Sequence, residues 1–206
     1  MRRGRGFTCP DLRLALDGFA RLLGKFGQAG AAESLYREAV VIESELFGAE
    51  HENTLISRSN LATALWQQGK FDEARKEQES VPALQERTLG KEHPDALSSL
   101  NDLANLLSDK GDYTAAEPLY RRALAAMEKT LGADHPDIFG PCFNLGLDLL
   151  AQGKNAEASR FLQRAYEGFK RKFGEDFPLT KDARKALDRL NREHPPFQKA
   201  DTPASR

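Results

Sequence analysis

The sequence predicts an all-α protein, a solenoid of antiparallel helix hairpins in which four stacked repeats are closed by one further helix. Three observations predict it. Gly48, Gly90, Gly132 and Gly174 stand 42 residues apart, inside the related hexapeptides GAEHEN, GKEHPD, GADHPD and GEDFPL. A second series, Gly27, Gly69, Gly111 and Gly153, keeps the same period, and each leads to an alanine five residues on: Ala32, Ala74, Ala116 and Ala158. Between these markers the apolar residues recur at helical spacing and never alternate strictly, so no segment reads as a strand.

The expected repeats run over 11–52, 53–94, 95–136 and 137–178, with a capping helix at 179–193. The third shows the pattern most plainly. Leu100, Leu103, Ala104 and Leu107 form one apolar stripe before Gly111, and Ala115, Ala116, Leu119, Tyr120, Ala123 and Leu124 form a second before Gly132. Neither stripe can be buried by its own helix, so hairpins must stack and share a core. Small residues mark where the arms should cross: Ala20, Ala62, Ala104 and Gly146 in the first arms, and the four period alanines in the second. Larger knobs repeat beside them as Phe19, Leu61, Leu103 and Leu145, and as Leu23, Leu65, Leu107 and Leu149. Cys142 aligns with Leu16 and Leu100 and is expected to be buried.

Repeat 2 departs in its second arm. There FDEARKEQESVPALQERTLG places Glu77 and Gln78 where its neighbours have Leu35, Tyr36, Leu119 and Tyr120, and it carries Pro82 mid-arm. A proline inside a helix removes a backbone hydrogen bond and commonly kinks the helix, at about 3 kcal/mol if uncompensated. Two readings stay open, simple degeneracy of the repeat or a bend that opens a surface to a partner. At the far end, Ala183, Leu187 and Leu190 give the capping helix one apolar face within a charged remainder. Residues 1–10 and 196–206 are polar and are expected to be disordered tails.

Composition narrows the chemistry. The 206 residues carry 30 Lys and Arg against 31 Asp and Glu, a net charge of −1, where phosphate-led nucleic-acid binding calls for a basic excess. No apolar run approaches the ~20 residues of a membrane helix, and MRRGRGFTCPDLR holds no apolar signal core, so the expected compartment is the cytoplasm. Two cysteines, Cys9 and Cys142, make neither a zinc cluster nor a disulfide framework. No Gly-rich phosphate loop is present, and HENTL lacks the second His of a zinc-protease helix. No catalytic residue, cofactor or metal is expected.

His51, His93 and His135 invite a metal reading. They occur once per repeat, however, and stacked hairpins hold equivalent atoms roughly 8–10 Å apart, too far for a shared ion. The Pro that follows suits a first helical turn and the Asp after it suits a helix N-terminus, so HPD reads as a helix start.

The row Leu103, Ala104, Leu107, Gly111, Ala116, Tyr120 and Ala123 resembles the tetratricopeptide repeat signature. The 42-residue period, with NDLANLLSDKGDYTAAEPLYRRALAAMEKTLGADHPD, resembles the kinesin light chain subclass of that family, with its extended second helix and G-x-x-H-P-D linker. The resemblance covers 11 to about 180. It implies a right-handed superhelix whose concave side is lined by first arms, and a non-enzymatic adaptor that binds an extended peptide there. Carried over by position, the groove holds Arg21, Asn60, Thr63, Asn101, Asp102, Asn105, Asn144, Lys185 and Arg189, with Asp17, Ser59 and Phe143 beside them and Trp66 at its edge. The amides suit a peptide backbone, since each offers a donor and an acceptor. Arg21, Lys185 and Arg189 favour a ligand of acidic or mixed charge, against Asp17 and Asp102 locally. The alternative is a regulatory or self-assembling repeat module that serves a separate catalytic or nucleotide-switch protein.

Overall fold

The computed structural model of the chain describes residues 9–193. The expected tails lie outside them, except that Cys9 and Pro10 already belong to the first helix; the side chain of Asp17 also lies outside the described residues. The described residues form ten α-helices and one short 3-10 turn, with no strand among them. The chain divides into two compact units, 1–110 and 111–206.

Unit 1 contains α1 (Cys9–Lys25), α2 (Ala29–Phe47), α3 (Glu52–Gln67), α4 (Phe71–Gln78), α5 (Val81–Leu89) and α6 (Pro94–Asp109). Here α1 packs on α2, α2 on α3, α3 on α4 and α5, and both of those on α6. Unit 2 contains α7 (Tyr113–Leu131), the 3-10 turn Pro136–Ile138, α8 (Phe139–Ala151), α9 (Asn155–Phe173) and α10 (Pro178–Glu193). In it α7 packs on α8, α8 on α9, and α10 on both α8 and α9.

The helix boundaries fall where the period predicts. All eight period glycines adopt positive φ; Gly90 at +100° after α5 and Gly69 at +75° after α3 show the two kinds of turn. An L side chain rarely adopts either conformation, which is why the markers are glycine. The histidines then open the next helices. Nδ1 of His51, His93 and His135 accepts the backbone N–H of Asn53, Asp95 and Asp137 at 3.2, 3.3 and 3.4 Å. Each imidazole thus does the work usually given to Ser or Asp at an N-cap. Repeat 4 has Phe177 at this position, and there a ring contact replaces the cap: Phe177 lies 4.7 Å from Phe173, matching the 4.8 Å stack of His51 on Phe47.

The expected crossing residues are at the centre of the packing. Ala20, Ala62 and Ala104 and the period alanines are buried. At Gly146 an added Cβ would lie 2.8 Å from the Leu162 side chain, so the approach of α8 to α9 needs glycine there. Cys142 is fully buried, and burial pushes its thiol up to about 11. Phe19 corrects the knob row: it is 57% exposed, whereas Leu61 and Leu145 at equivalent positions are buried. It sits on the first arm of the first repeat, where the described residues supply no earlier hairpin to cover it. Pro82 is a second correction. It does not kink one long helix but stands in the first turn of α5, and the arm is divided after Gln78.

Candidate functional site

The first arms α1, α3 and α6 of unit 1 carry the residues expected to face a ligand. Two hollows open between them. One of about 290 Å³ lies between α1, α2 and α3, lined by Arg21, Asn60 and Thr63 with Tyr36 and Gln67. The other, about 50 Å³, lies between α3, α4 and α6, lined by Thr63, Asp102 and Asn105 with Trp66, Gln78 and Leu106. Thr63 belongs to both, so they adjoin along one surface.

Not every expected residue meets there. Asn101 lines neither hollow, and its Oδ1 is buried and accepts no hydrogen bond. Ser59 is a packing residue, its hydroxyl 3.1 Å from that of Ser99 on α6. In unit 2, Asn144 is half-buried on α8, and Phe143 lies edge-on to Phe169 with ring centroids 6.4 Å apart. Lys185 and Arg189 are exposed on α10, but each is paired on its own helix, with Asp182 at 3.1 Å and Glu193 at 2.8 Å. Such exposed pairs are worth little to stability, yet they reduce the charge these residues can offer an acidic ligand.

Three donors of the small hollow are already engaged. The Trp66 indole N–H donates to Asp109, and Thr63 Oγ1 donates to the Ser59 carbonyl at 3.1 Å. Gln78 is fully buried; its Nε2 donates to the Ser99 carbonyl at 2.9 Å, and that bond fixes the orientation of the amide. Burial pushes the Asp102 carboxyl up to about 6, against a hydrogen bond from Asn101 that favours ionisation.

The polar residues of repeat 2 thereby find their roles. Gln78 ties α4 to α6, and Glu77 pairs with Arg58 at 3.2 Å.

A charge network not marked by the 42-residue period joins neighbouring repeats. In unit 1, Glu33 accepts from Lys70 at 2.7 Å, Gln68 at 2.7 Å and Arg37 at 3.0 Å, and Arg37 reaches on to Glu73 at 2.8 Å. The hydrogen bond from Lys70, with those from Gln68 and Arg37, holds the Glu33 carboxyl at about 2 despite its burial. Unit 2 repeats the network with Glu117, Lys154 at 2.6 Å, Arg121 at 2.9 Å, and Glu157. At Glu117 burial pushes upward and the hydrogen bonds from Lys154, Arg121 and Gln152 outweigh it, so its carboxyl lies below the usual range. Each of these residues recurs after 84 positions, twice the repeat, with Arg75, Glu79, Lys110, Asp112 and Ala115 standing between. Looking at 42-residue steps alone hides the pattern.

Among the described residues no group of three or more His, Cys, Asp or Glu side chains could hold a metal ion. None of the described helices is long and apolar enough to cross a membrane.

Hairpin arms meeting at small residues, glycine turns at a fixed period and a surface of first arms together define a helical repeat protein of the protein-interaction class. A tetratricopeptide repeat family model matches residues 11–81, 59–129 and 95–171, and the chain belongs to that family. Its kind is that of the kinesin light chain. The chain aligns over 91% of its length with 88% of a crystal structure of kinesin light chain TPR-like repeats from Podosopora anserina, at a TM-score of 0.77 and 27% identity. It shares the fold of BtubC (BKLC) from P. vanneervenii, with a TM-score of 0.74 at 22% identity over 86% of this chain and 70% of that one. In sequence it is similar to tetratricopeptide repeat protein 19, mitochondrial, of Homo sapiens, 41% identical over 63 residues, which are 31% of this chain and 17% of that protein. The Rattus norvegicus counterpart is 39% identical over 74 residues, 36% of this chain and 20% of its own length. The match thus spans a fifth or less of these curated relatives.

Proposed function

We propose that this protein-interaction scaffold is a non-enzymatic adaptor that holds an extended peptide of mixed charge against the first arms of its repeats. The observation that carries the reading is the pair of adjoining hollows along α1, α3 and α6, with Arg21, Asn60, Thr63, Asp102 and Asn105 in their walls. Amide and hydroxyl groups at successive repeats offer hydrogen bonds to a peptide main chain without dictating its side chains. Asn144, Lys185 and Arg189 are the corresponding candidates in unit 2.

The test is a randomised octapeptide array probed with the wild type and with Asn60→Ala/Asn105→Ala. Each amide removed costs about 0.5–1.5 kcal/mol net in hydrogen bonding, so the selected peptides should bind the double variant about tenfold more weakly. The denaturation midpoint of each protein is measured alongside, so that any loss of folding is separated from loss of binding. Equal affinity for both proteins would place the binding surface elsewhere.

A second reading, self-assembly of the repeats, is favoured by α1 and the turn that follows it, where Phe19 on the helix and Phe26 in the turn are 57% and 79% exposed and Leu22 is exposed on the same helix. An apolar end of this kind favours association with another copy. Sedimentation of the wild type against Phe19→Ser/Phe26→Ser tests it; a wild type that is monomeric at high concentration excludes it. For compartment, the cytoplasm is the reading from sequence, whereas the relatives of matching sequence are mitochondrial proteins. Fractionation of cells expressing a tagged chain decides between them.

A further inference from the structure

We propose that the small hollow between α3, α4 and α6 is a subsite for one basic side chain, lysine or arginine, of the bound segment. This rests on the groove reading above and names what one position of the groove selects.

Beside the amide of Asn105, which offers both a donor and an acceptor, the polar groups in the walls of the hollow present acceptors. Asp102 brings a carboxylate. Gln78, fully buried in the wall, has given its Nε2 to the Ser99 carbonyl, and its Oε1 accepts no hydrogen bond. The Thr63 hydroxyl and the Trp66 indole have given their protons to the Ser59 carbonyl and to Asp109. A buried acceptor without a donor is costly, and so is a carboxylate drawn out of water without a counter-charge. An ammonium or guanidinium group has donors only, so it satisfies such a wall without adding acceptors of its own. The Trp66 ring beside it adds the attraction of an aromatic face for a cation. At about 50 Å³ the hollow has room for the tip of a side chain.

The repeat pattern points the same way. The positions 42 residues before and after Asp102 are Asn60 and Asn144, so this repeat alone of the three carries a charge where the others carry an amide. Among the described residues no lysine or arginine of the chain pairs with Asp102. Burial raises the Asp102 carboxyl, and a ligand cation beside it would lower it again.

Trp66 is the only tryptophan in the sequence, so its fluorescence reports on this hollow alone. Four capped octapeptides of Ala and Ser, carrying Lys, Arg, norleucine or Glu at the centre, are titrated into the full chain and into Asp102→Asn. That variant restores the amide of the neighbouring repeats and so keeps the fold. Butylammonium chloride is titrated in parallel against sodium chloride and 1-butanol. The expected result is at least tenfold tighter binding of the Lys and Arg peptides than of the norleucine and Glu peptides. That preference should vanish in Asp102→Asn, while the norleucine peptide binds both proteins alike. Equal binding of all four peptides to the wild type would overturn the subsite and leave the groove reading standing. If no peptide binds but butylammonium saturates the Trp66 signal and needs Asp102, the groove reading fails and the cation site stands. If neither binds, both are overturned.

Discussion

The second arms of repeats 2 and 3 each carry a proline, and only one of them is broken. In repeat 2 the arm ends at Gln78 and resumes at Val81, with Pro82 in the first turn of α5. In repeat 3, Pro118 lies inside α7, which runs on without interruption to Leu131. A proline ring collides with the carbonyl four residues earlier. For Pro118 that carbonyl belongs to Thr114, in the opening turn of α7, where no preceding turn fixes its direction. For Pro82 it belongs to Gln78, deep in the arm, and the helix stops there. Position along the arm, not the presence of proline, decides the outcome. The unbroken arms α2 and α7 also share an anchor that α4 lacks. Glu33 and Glu117 gather cations from the next repeat, whereas the equivalent residue of α4 is Arg75, which makes only a pair with Glu79 at 3.6 Å on its own helix.

The largest expected effect comes from moving the break into an intact arm. Tyr166 of α9 is the equivalent of Pro82 two repeats on, half-buried and far from either end of its helix. Tyr166→Pro should set the ring against the Leu162 carbonyl and cost about 3 kcal/mol or more, because α9 has no counterpart of the Gln78 and Glu77 contacts that hold the divided arm. Circular dichroism and denaturant midpoints measure this. An unchanged midpoint would mean that the solenoid accepts a break in any arm.

Next in size is the anchor. With its carboxyl held at about 2 instead of 4.5, Glu33 contributes a ceiling of ~3 kcal/mol to the stability of unit 1 at neutral pH. Its folded value lies below its unfolded one. The contribution is therefore complete above pH 4.5 and is lost as the pH falls towards 2. Glu33→Gln should lower the midpoint at pH 7 and flatten the acid limb of the stability curve. Arg75→Ala, at the equivalent place in the broken arm, should change it by less than ~0.5 kcal/mol, as expected for a pair with both partners exposed. Denaturation at a series of pH values checks both.

These two arms also show what could be read from the sequence. The period, the hairpins, the buried alanines and the helix-opening role of HPD are legible because each follows from local backbone and packing rules that repeat every 42 residues. Phe19 departs from the knob row because the repeat pattern says which face a residue occupies, not whether a neighbour covers it. The role of Gln78 is not legible, since its partner, the carbonyl of Ser99, lies 21 residues away and carries no side-chain signature. The Glu33 and Glu117 networks were hidden by a spacing of two repeats. Of the candidate groove, Arg21, Asn60, Thr63, Asp102 and Asn105 line the two hollows, but the small hollow with its unmatched acceptors depends on tertiary packing that no single-repeat pattern encodes.

A smaller effect is expected at Pro118. Alanine there restores the missing N–H towards the Thr114 carbonyl. Pro118→Ala should raise the midpoint by about 1 kcal/mol or more, up to the ~3 kcal/mol that separates proline from alanine in a helix interior. Thermal or denaturant unfolding measures it. A fall would show that the ring makes packing contacts worth more than the hydrogen bond.

Pro82 should give the smallest change of all. It stands at the start of α5, where a backbone N–H has no partner within the helix and where the fixed φ of proline already suits a first turn. Alanine at this site therefore restores no essential bond, and it loses only the rigidity that proline lends the unfolded chain, worth about 0.4–1 kcal/mol. That loss is opposed by the chance to rejoin α4 to α5 across Glu79 and Ser80, whose backbone angles of φ −58°, ψ −37° and φ −93°, ψ −16° are already near helical. The two effects act in opposite directions, so Pro82→Ala should move the midpoint by less than ~0.5 kcal/mol. Amide exchange distinguishes the sources of that small number. If the arm rejoins, the N–H groups around Glu79 to Ala83 gain protection while the midpoint stays put. If they exchange as fast as before, the break is held by Gln78 and its bond to Ser99, and Gln78→Leu combined with Pro82→Ala should then close the arm where either change alone does not.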